Sequence, residues 1–330
     1  MKFKVPYYHD PKVNVFNSDF SVNFEFFESL SNNTPAVINL SFDPYDAKGL
    51  NALLKSYGIN TDNIIFLTSE YNTESKDNNI IFYPSWLIST ARSLKKIPID
   101  VKRNNKISCL NRIAKCHRFY LFYLLKEKKY FNDLVYTLQG MCSYDDNLTW
   151  DNGQIVGFDD LPKKVKLELS KLSLNVATVK APDPNKSDND HSVNHIAYTD
   201  SYMNIVTESS YSLTTPFFSE KTIKPLVSGQ LFLMAGDQHS IKSLRALGFE
   251  TFDNAFDNHN YDKFFTYKRR IDSMVNLVDS VYENIESIYF DNIQAIQHNQ
   301  EYALSDLFRD RCLKPLLDLD VVDNLNLIPT

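Results

Sequence analysis

The sequence predicts an α/β fold of two Rossmann-like units with a cleft between them and a helical tail behind, and three observations carry that reading. Short apolar runs rich in β formers alternate with segments whose apolar residues recur at helical spacing, the mark of parallel sheets covered on both faces. The alternation stops near residue 100 at Pro98 and a basic stretch, then restarts. The length of 330 residues also suits two cores better than one.

In order along the chain, residues 36–42 (AVINLSF) read as a buried strand. Residues 46–57 carry Ala47, Leu50, Leu53 and Leu54 at helical spacing, with Gly58 as the stop. Residues 63–68 and 79–83 read as two further strands. Lys102, Arg103 and Lys106 suggest a basic linker. Residues 106–110 restart the pattern as a strand, with Asn111 as N-cap of a helix running towards Lys128, and residues 134–138 read as another strand. The polar, turn-rich residues 182–194 read as a surface loop. Residues 203–207 form a strand ending at Glu208, Ser219 caps a helix from Glu220 that Gly229 closes, and residues 231–235 form a strand. Ser240 caps a helix that Gly248 ends, and residues 263–286 read as a long helix. These breaks divide the chain into residues 1–104, 105–290 and a helical tail, 291–330.

Composition narrows the chemistry. Only 8 glycines are present, about a third of ordinary usage. A chain so poor in glycine does not readily wrap backbone around a phosphate, so side chains must hold one. The net charge of −6 argues against a mainly electrostatic grip on nucleic acid, and the 23 Phe and 19 Tyr fall mostly in core-like segments rather than on a stacking surface. The cysteines at 109, 116, 142 and 312 have no metal spacing and read as free thiols. The opening residues lack the apolar stretch of a signal peptide, and no run is long enough to span a bilayer. A cytoplasmic protein with no membrane partner is the expectation.

Two segments could carry chemistry. In residues 109–118 (CLNRIAKCHR), Arg112, Lys115 and Arg118 lie within two turns at the start of a helix after a strand, a setting for a phosphate group; a solvated basic face is the plainer reading. In residues 215–225 (TPFFSEKTIKP), Ser219, Glu220 and Lys221 open a helix, and Lys221 and Lys224 share a face that could reach a pyrophosphate. Glu220 could accept from ribose hydroxyls. A capped amphipathic helix with a Glu220–Lys224 pair explains the same residues.

Together, L-N-R…H-R, N-I-V-T-E and F-S-E-K-T-I-K-P resemble nucleotide-sugar glycosyltransferases of GT-B architecture, in particular the α1,3-fucosyltransferase-like group. The resemblance covers roughly residues 105–262. It implies Arg112 and Arg118 on the diphosphate, Lys221 on the phosphates, Glu220 near the ribose and Glu208 lining the donor site; Asn111, Ser219 and Lys224 complete the expected donor-binding set. It implies transfer of a sugar from a nucleotide-diphosphate sugar, without a metal or other cofactor, and a tail that packs back on the N-terminal domain. The strand end reads I-V-T-E-S in place of the group's F-E-N, so no sugar is assigned. An inverting enzyme also needs a carboxylate as base. Asp43 and Asp46, beyond the first strand, are the candidates, although an Asp-Pro turn and a helix cap also account for them.

The acceptor is either a glycan hydroxyl or a hydroxymethylated DNA base, the latter prompted by Lys102, Arg103 and Lys106 as a basic rim. A non-catalytic nucleotide- or phosphate-ligand-binding protein is the alternative. Asp188 with Asp190 and Asp318 with Asp320 match D-x-D by chance-level patterns, His191 and His195 lack a metal motif around them, and no P-loop, G-x-G-x-x-G or G-x-S-x-G occurs.

Overall fold

A computed structural model describes residues 7–8, 22–31, 36–41, 47–69, 71, 79–111, 115–138, 162–170, 176–178, 193, 196–211 and 215–317. The fold is α/β with parallel sheets, and the chain divides into two compact units, Met1–Ser89 with Ser305–Thr330, and Thr90–Leu304. Asp43, Asp46, Arg112, Cys142, both D-x-D pairs, His191 and His195 lie outside the described residues.

The first unit runs β1 (Tyr7–Tyr8), α1 (Phe24–Ser31), β2 (Ala36–Asn39), α2 (Ala47–Ser56), β3 (Ile64–Thr68), β4 (Ile80–Phe82) and α3 (Ser85–Ser93), which reaches the boundary of the unit. Its four strands are parallel in the order β1-β2-β3-β4. All four residues of β2 are buried, as a strand covered on both faces requires. Ala47, Leu50 and Leu54 turn one face of α2 onto the core formed by Phe27, Ile38 and Phe66. Gly58, at φ +78°, ends that helical stretch in a conformation that a side chain would resist.

The second unit contains β5 (Asn105–Asn111), α4 (Cys116–Leu125), β6 (Val135–Leu138), α5 (Lys163–Ser170), β7 (Val176–Ala177), α6 (Ile196–Thr199) and β8 (Ser201–Thr207). It continues through α7 (Glu220–Val227), β9 (Leu231–Ala235), α8 (Ser240–Ala246), α9 (Tyr267–Val281), α10 (Ile285–Asp291) and α11 (Ile293–Leu304). α12 (Asp306–Leu317) then returns to the first unit and packs on β4. The second sheet has the order β7-β6-β5-β8-β9, parallel except for the antiparallel edge pair β6–β7. Every residue of β8 and of β9 is buried.

The amino-terminal edge of this sheet is closed by Arg103, which is no linker residue. Its guanidinium donates to the carbonyls of Tyr198 (3.0 Å), Ser201 (2.9 Å), Ser228 (2.9 Å) and Gly229 (3.1 Å), and to the Tyr289 hydroxyl at 3.1 Å. Five donors on one planar group let a single residue satisfy backbone oxygens from several elements at once. Lys106 lies within β5, pairs with Glu283 at 2.7 Å and covers the Tyr282 ring, while Lys102 lies 3.9 Å from Glu286. The basic rim expected at these three residues is therefore one buried cage and two ion pairs. Gly229 admits no side chain here: at φ +63° an added Cβ would stand 2.2 Å from Ile99 Cγ2.

Candidate functional site

The chain leaves β5 outward through β6 to β7, then returns to the other side of β5 as β8 and continues to β9. β5 and β8 are thus parallel neighbours whose onward connections diverge, and beyond the carboxyl ends of such strands lies the crevice position at which open α/β sheets usually hold a ligand. Asn111 ends β5, Glu208 follows β8, and α4 and α7 both begin at this edge.

Two polar clamps build the floor. Asn111 joins three strands: its backbone N–H donates to Thr137 Oγ1 at 3.1 Å, its Nδ2 to the Thr137 carbonyl at 3.1 Å, and its Oδ1 accepts from Thr207 Oγ1 at 2.5 Å. Glu208 is fully buried and joins β8 to α7. Its carboxylate accepts from the Ser209 N–H (2.9 Å), the Ser219 N–H (3.0 Å), Ser219 Oγ (2.6 Å) and Thr222 Oγ1. A buried carboxylate requires such donors, and three of the four come from the opening turn of α7, where N–H groups have no internal partner. Ser219 is the N-cap, accepting from the Lys221 N–H at 3.3 Å.

Below the floor, Arg118 donates to the carbonyls of Thr207 and Glu208, both at 3.1 Å, and is itself buried. Burial lowers its pKa against the opposing pull of Glu208 and Glu220. His117 Nε2 lies 3.0 Å from the Glu208 carbonyl, an oxygen that can only accept, so Nε2 carries the proton. Its ring stacks on Tyr211 at 4.1 Å. Burial, with Arg118 beside it, pushes the pKa of His117 well below the ordinary value and keeps the ring neutral.

Two ammonium groups converge above the floor. Lys115, the N-cap of α4, donates from Nζ to the Ser209 carbonyl at 2.8 Å. Lys221 donates from Nζ to Ser209 Oγ at 3.2 Å and forms an ion pair with Glu220. Burial, with Arg118 and Lys221 nearby, lowers the Lys115 pKa to about 8, against the attraction of Glu208. A cation depressed by other cations gains from a bound anion. Glu220 is held below the ordinary glutamate pKa: burial opposes its ionisation, and Lys221, aided by Lys224, outweighs burial.

The residues expected from the sequence therefore separate. Lys221 and Glu220 stand at the crevice, partly exposed. Asn111, Arg118, Glu208 and Ser219 are buried beneath it and bonded to the protein itself, so they position the crevice rather than line it. Asn111 is the last residue of β5, not the helix cap expected from its side chain; α4 starts five residues later. Lys224 is also buried, with its ammonium 5.4 Å from the centre of the Tyr198 ring rather than at Ser209 beside Lys221. Glu220 pairs with Lys221, the residue beside it, and the charge of Lys224 adds to the pull on its carboxylate. Sequence reasoning left out Ser209, whose position one residue beyond the strand-ending Glu208 was the available signal, and passed over Lys115 in favour of the arginines beside it.

No protein family, no characterised protein and no solved structure matches the chain.

Proposed function

We propose that the carboxyl edge of the second sheet holds the diphosphate of a nucleotide-diphosphate sugar, and that the protein is a GT-B-like glycosyltransferase. The observation that carries this reading is the convergence of Lys115 and Lys221 on Ser209 at the divergence of β5 and β8. Two fixed ammonium groups offset the charge that develops on a departing nucleoside diphosphate, and need no reorganisation as it forms. Glu220 would turn from Lys221 to the ribose hydroxyls once phosphate oxygens engage the lysine. The acceptor hydroxyl, of a glycan or of a hydroxymethylated DNA base, gives its proton to a carboxylate; Asp43 and Asp46 are the candidates from the sequence. The bond to the anomeric carbon forms as the bond to the diphosphate oxygen breaks.

A second reading, a protein that binds such a ligand without turnover, is favoured by one observation. All four hydrogen bonds to the Glu208 carboxylate come from within the protein, which leaves this residue of the site no role as a base.

A thermal-shift panel of UDP, GDP, CDP and ADP with their sugars, with and without a divalent cation, tests the binding. A ligand at 100 times its dissociation constant adds about 2.7 kcal/mol of stability. The expected result is stabilisation by one diphosphate that Lys221→Ala abolishes. A flat response across the panel would overturn both readings. Release of free nucleoside diphosphate from its sugar, followed by chromatography, separates transfer from binding alone.

A further inference from the structure

Beyond β9, the junction into α9 and its first turn read Lys263-Phe264-Phe265-Thr266-Tyr267-Lys268-Arg269-Arg270, with aromatic and basic residues interleaved. Phe265 is 79 % exposed, a state that water disfavours for a whole aromatic ring. The backbone beneath it is fixed. Four successive carbonyls are held: that of Asp262 accepts from the His239 N–H (3.1 Å), and that of Lys263 from Gln238 Nε2 (2.6 Å). Those of Phe264 and Phe265 both accept from Arg270 at 2.8 Å. Immediately before this stretch, Asp257, Asn258 and His259 are all left-handed, at φ 46°, 50° and 51°. Non-glycine residues held there cost energy, and such segments concentrate at working surfaces.

Two of the four cations in this stretch are exposed. Lys263 is exposed and bonds only to the neutral Asn260 side chain, at 3.2 Å. Arg269 is exposed with its guanidinium 4.2 Å from the centre of the Phe264 ring. Neither forms an ion pair with another described residue. Of the acidic residues flanking this stretch, Asp262 accepts from the N–H groups of Ile241 and Lys242 and Asp272 from Tyr120 and Lys268, while Asp257 is exposed. The other arm of Arg270 donates to the Tyr211 carbonyl at 2.6 Å. Tyr211 is two residues from Ser209, at most ~7 Å of chain. One buried guanidinium therefore ties the exposed ring to the strand end that carries the lysine site.

We propose that Lys263, Phe265 and Arg269 form a platform for single-stranded nucleic acid, with one base stacked on Phe265 and the flanking phosphates against the two cations. A ring for stacking, cations for the backbone phosphates and a fixed backbone are the parts such surfaces use. This deepens the transferase reading and rests on it, because it selects a nucleic-acid base over a glycan as the acceptor. The overall charge of −6 makes stacking, rather than counterion release, the larger part of the affinity.

The test is fluorescence anisotropy of a labelled single-stranded DNA of about 12 nucleotides with the full chain, without nucleotide sugar. Binding in the micromolar range is expected, weakened about tenfold or more in Phe265→Ala and retained in Phe265→Tyr. Arg269→Ala and Lys263→Ala are each expected to flatten the salt dependence. Absence of binding by the unaltered protein, equal binding by Phe265→Ala, or equally tight binding of polyglutamate would each overturn the platform. Loss of DNA binding alongside an intact thermal shift by a nucleoside diphosphate refutes the platform alone. DNA binding without any such shift refutes the donor reading alone.

Discussion

An ammonium buried beside other cations gives up its proton more easily than a solvated one, and Lys115 meets that condition next to Arg118 and Lys221. Its pKa of about 8 makes anion binding pH-dependent with a defined sign. Below pH 8 the lysine is charged and binding is strongest; above it each bound anion must also recruit a proton, so affinity falls, by at most about tenfold per pH unit. Titration calorimetry between pH 7 and 9.5 should show this decline in the unaltered protein, and a flat profile in Lys115→Ala. His259 gives a second prediction at this scale. Its Nε2 bonds to the Thr251 carbonyl, and burial lowers its pKa to about 4 from an ordinary 6.5. The unfolded chain then binds a proton that the folded one refuses between these values. Stability is full above pH 6.5 and falls as pH drops towards 4, by up to about 3 kcal/mol. His259→Gln, which keeps a donor for Thr251, should flatten that part of a urea-denaturation series.

Among the elements, strands and stops were the legible part of the sequence. The run at 231–235 is β9 to the residue, and β3, β4 and β6 fall inside the expected runs because each is a short block of β formers, fully buried in β6, nearly so in β3 and half-buried at Ile80 and Phe82 of the edge strand β4. Gly58, Gly229 and Gly248 all sit at positive φ where a helix stop was expected. Caps were less legible, since a capping carboxylate can come from far along the chain. Ser219 caps α7 as its spacing suggested, yet Glu208, 11 residues earlier, supplies more of the bonds. α8 has His239 at its N-cap, not Ser240, and draws its acceptor from Asp262. Helix 24–31 carried no pattern that marked it, and the strand order depends on distant pairings that no local spacing encodes. Ser219→Ala should cost about 1–2 kcal/mol, as a lost N-cap does. Glu208→Ala should cost about 3 kcal/mol or more, because it leaves several buried donors without an acceptor. Chemical denaturation of both variants checks the order.

Across the whole molecule, two units each hold a sheet, the first all parallel and the second parallel but for its β6–β7 edge, and the chain enters the first, builds the second and returns to the first with α12. Phe308 and Cys312 of that helix are buried. Removing residues 305–330 should therefore lower the melting temperature of the first unit while the transition of Thr90–Leu304 moves by no more than about 2 °C, as scanning calorimetry would show. No helix among the described residues is long and apolar enough to cross a membrane. The candidate anion-binding residues Lys115, Ser209, Glu220 and Lys221 all belong to Thr90–Leu304, where they meet at the sheet's carboxyl edge. The most direct test of its role is calorimetric binding of the four nucleoside diphosphates to the full chain and to Lys115→Ala and Lys221→Ala at pH 7. One diphosphate should bind the unaltered protein, and each variant should weaken it by about tenfold or more, the loss of one charge-assisted hydrogen bond. Binding that survives both substitutions would place the anion elsewhere and contradict the account.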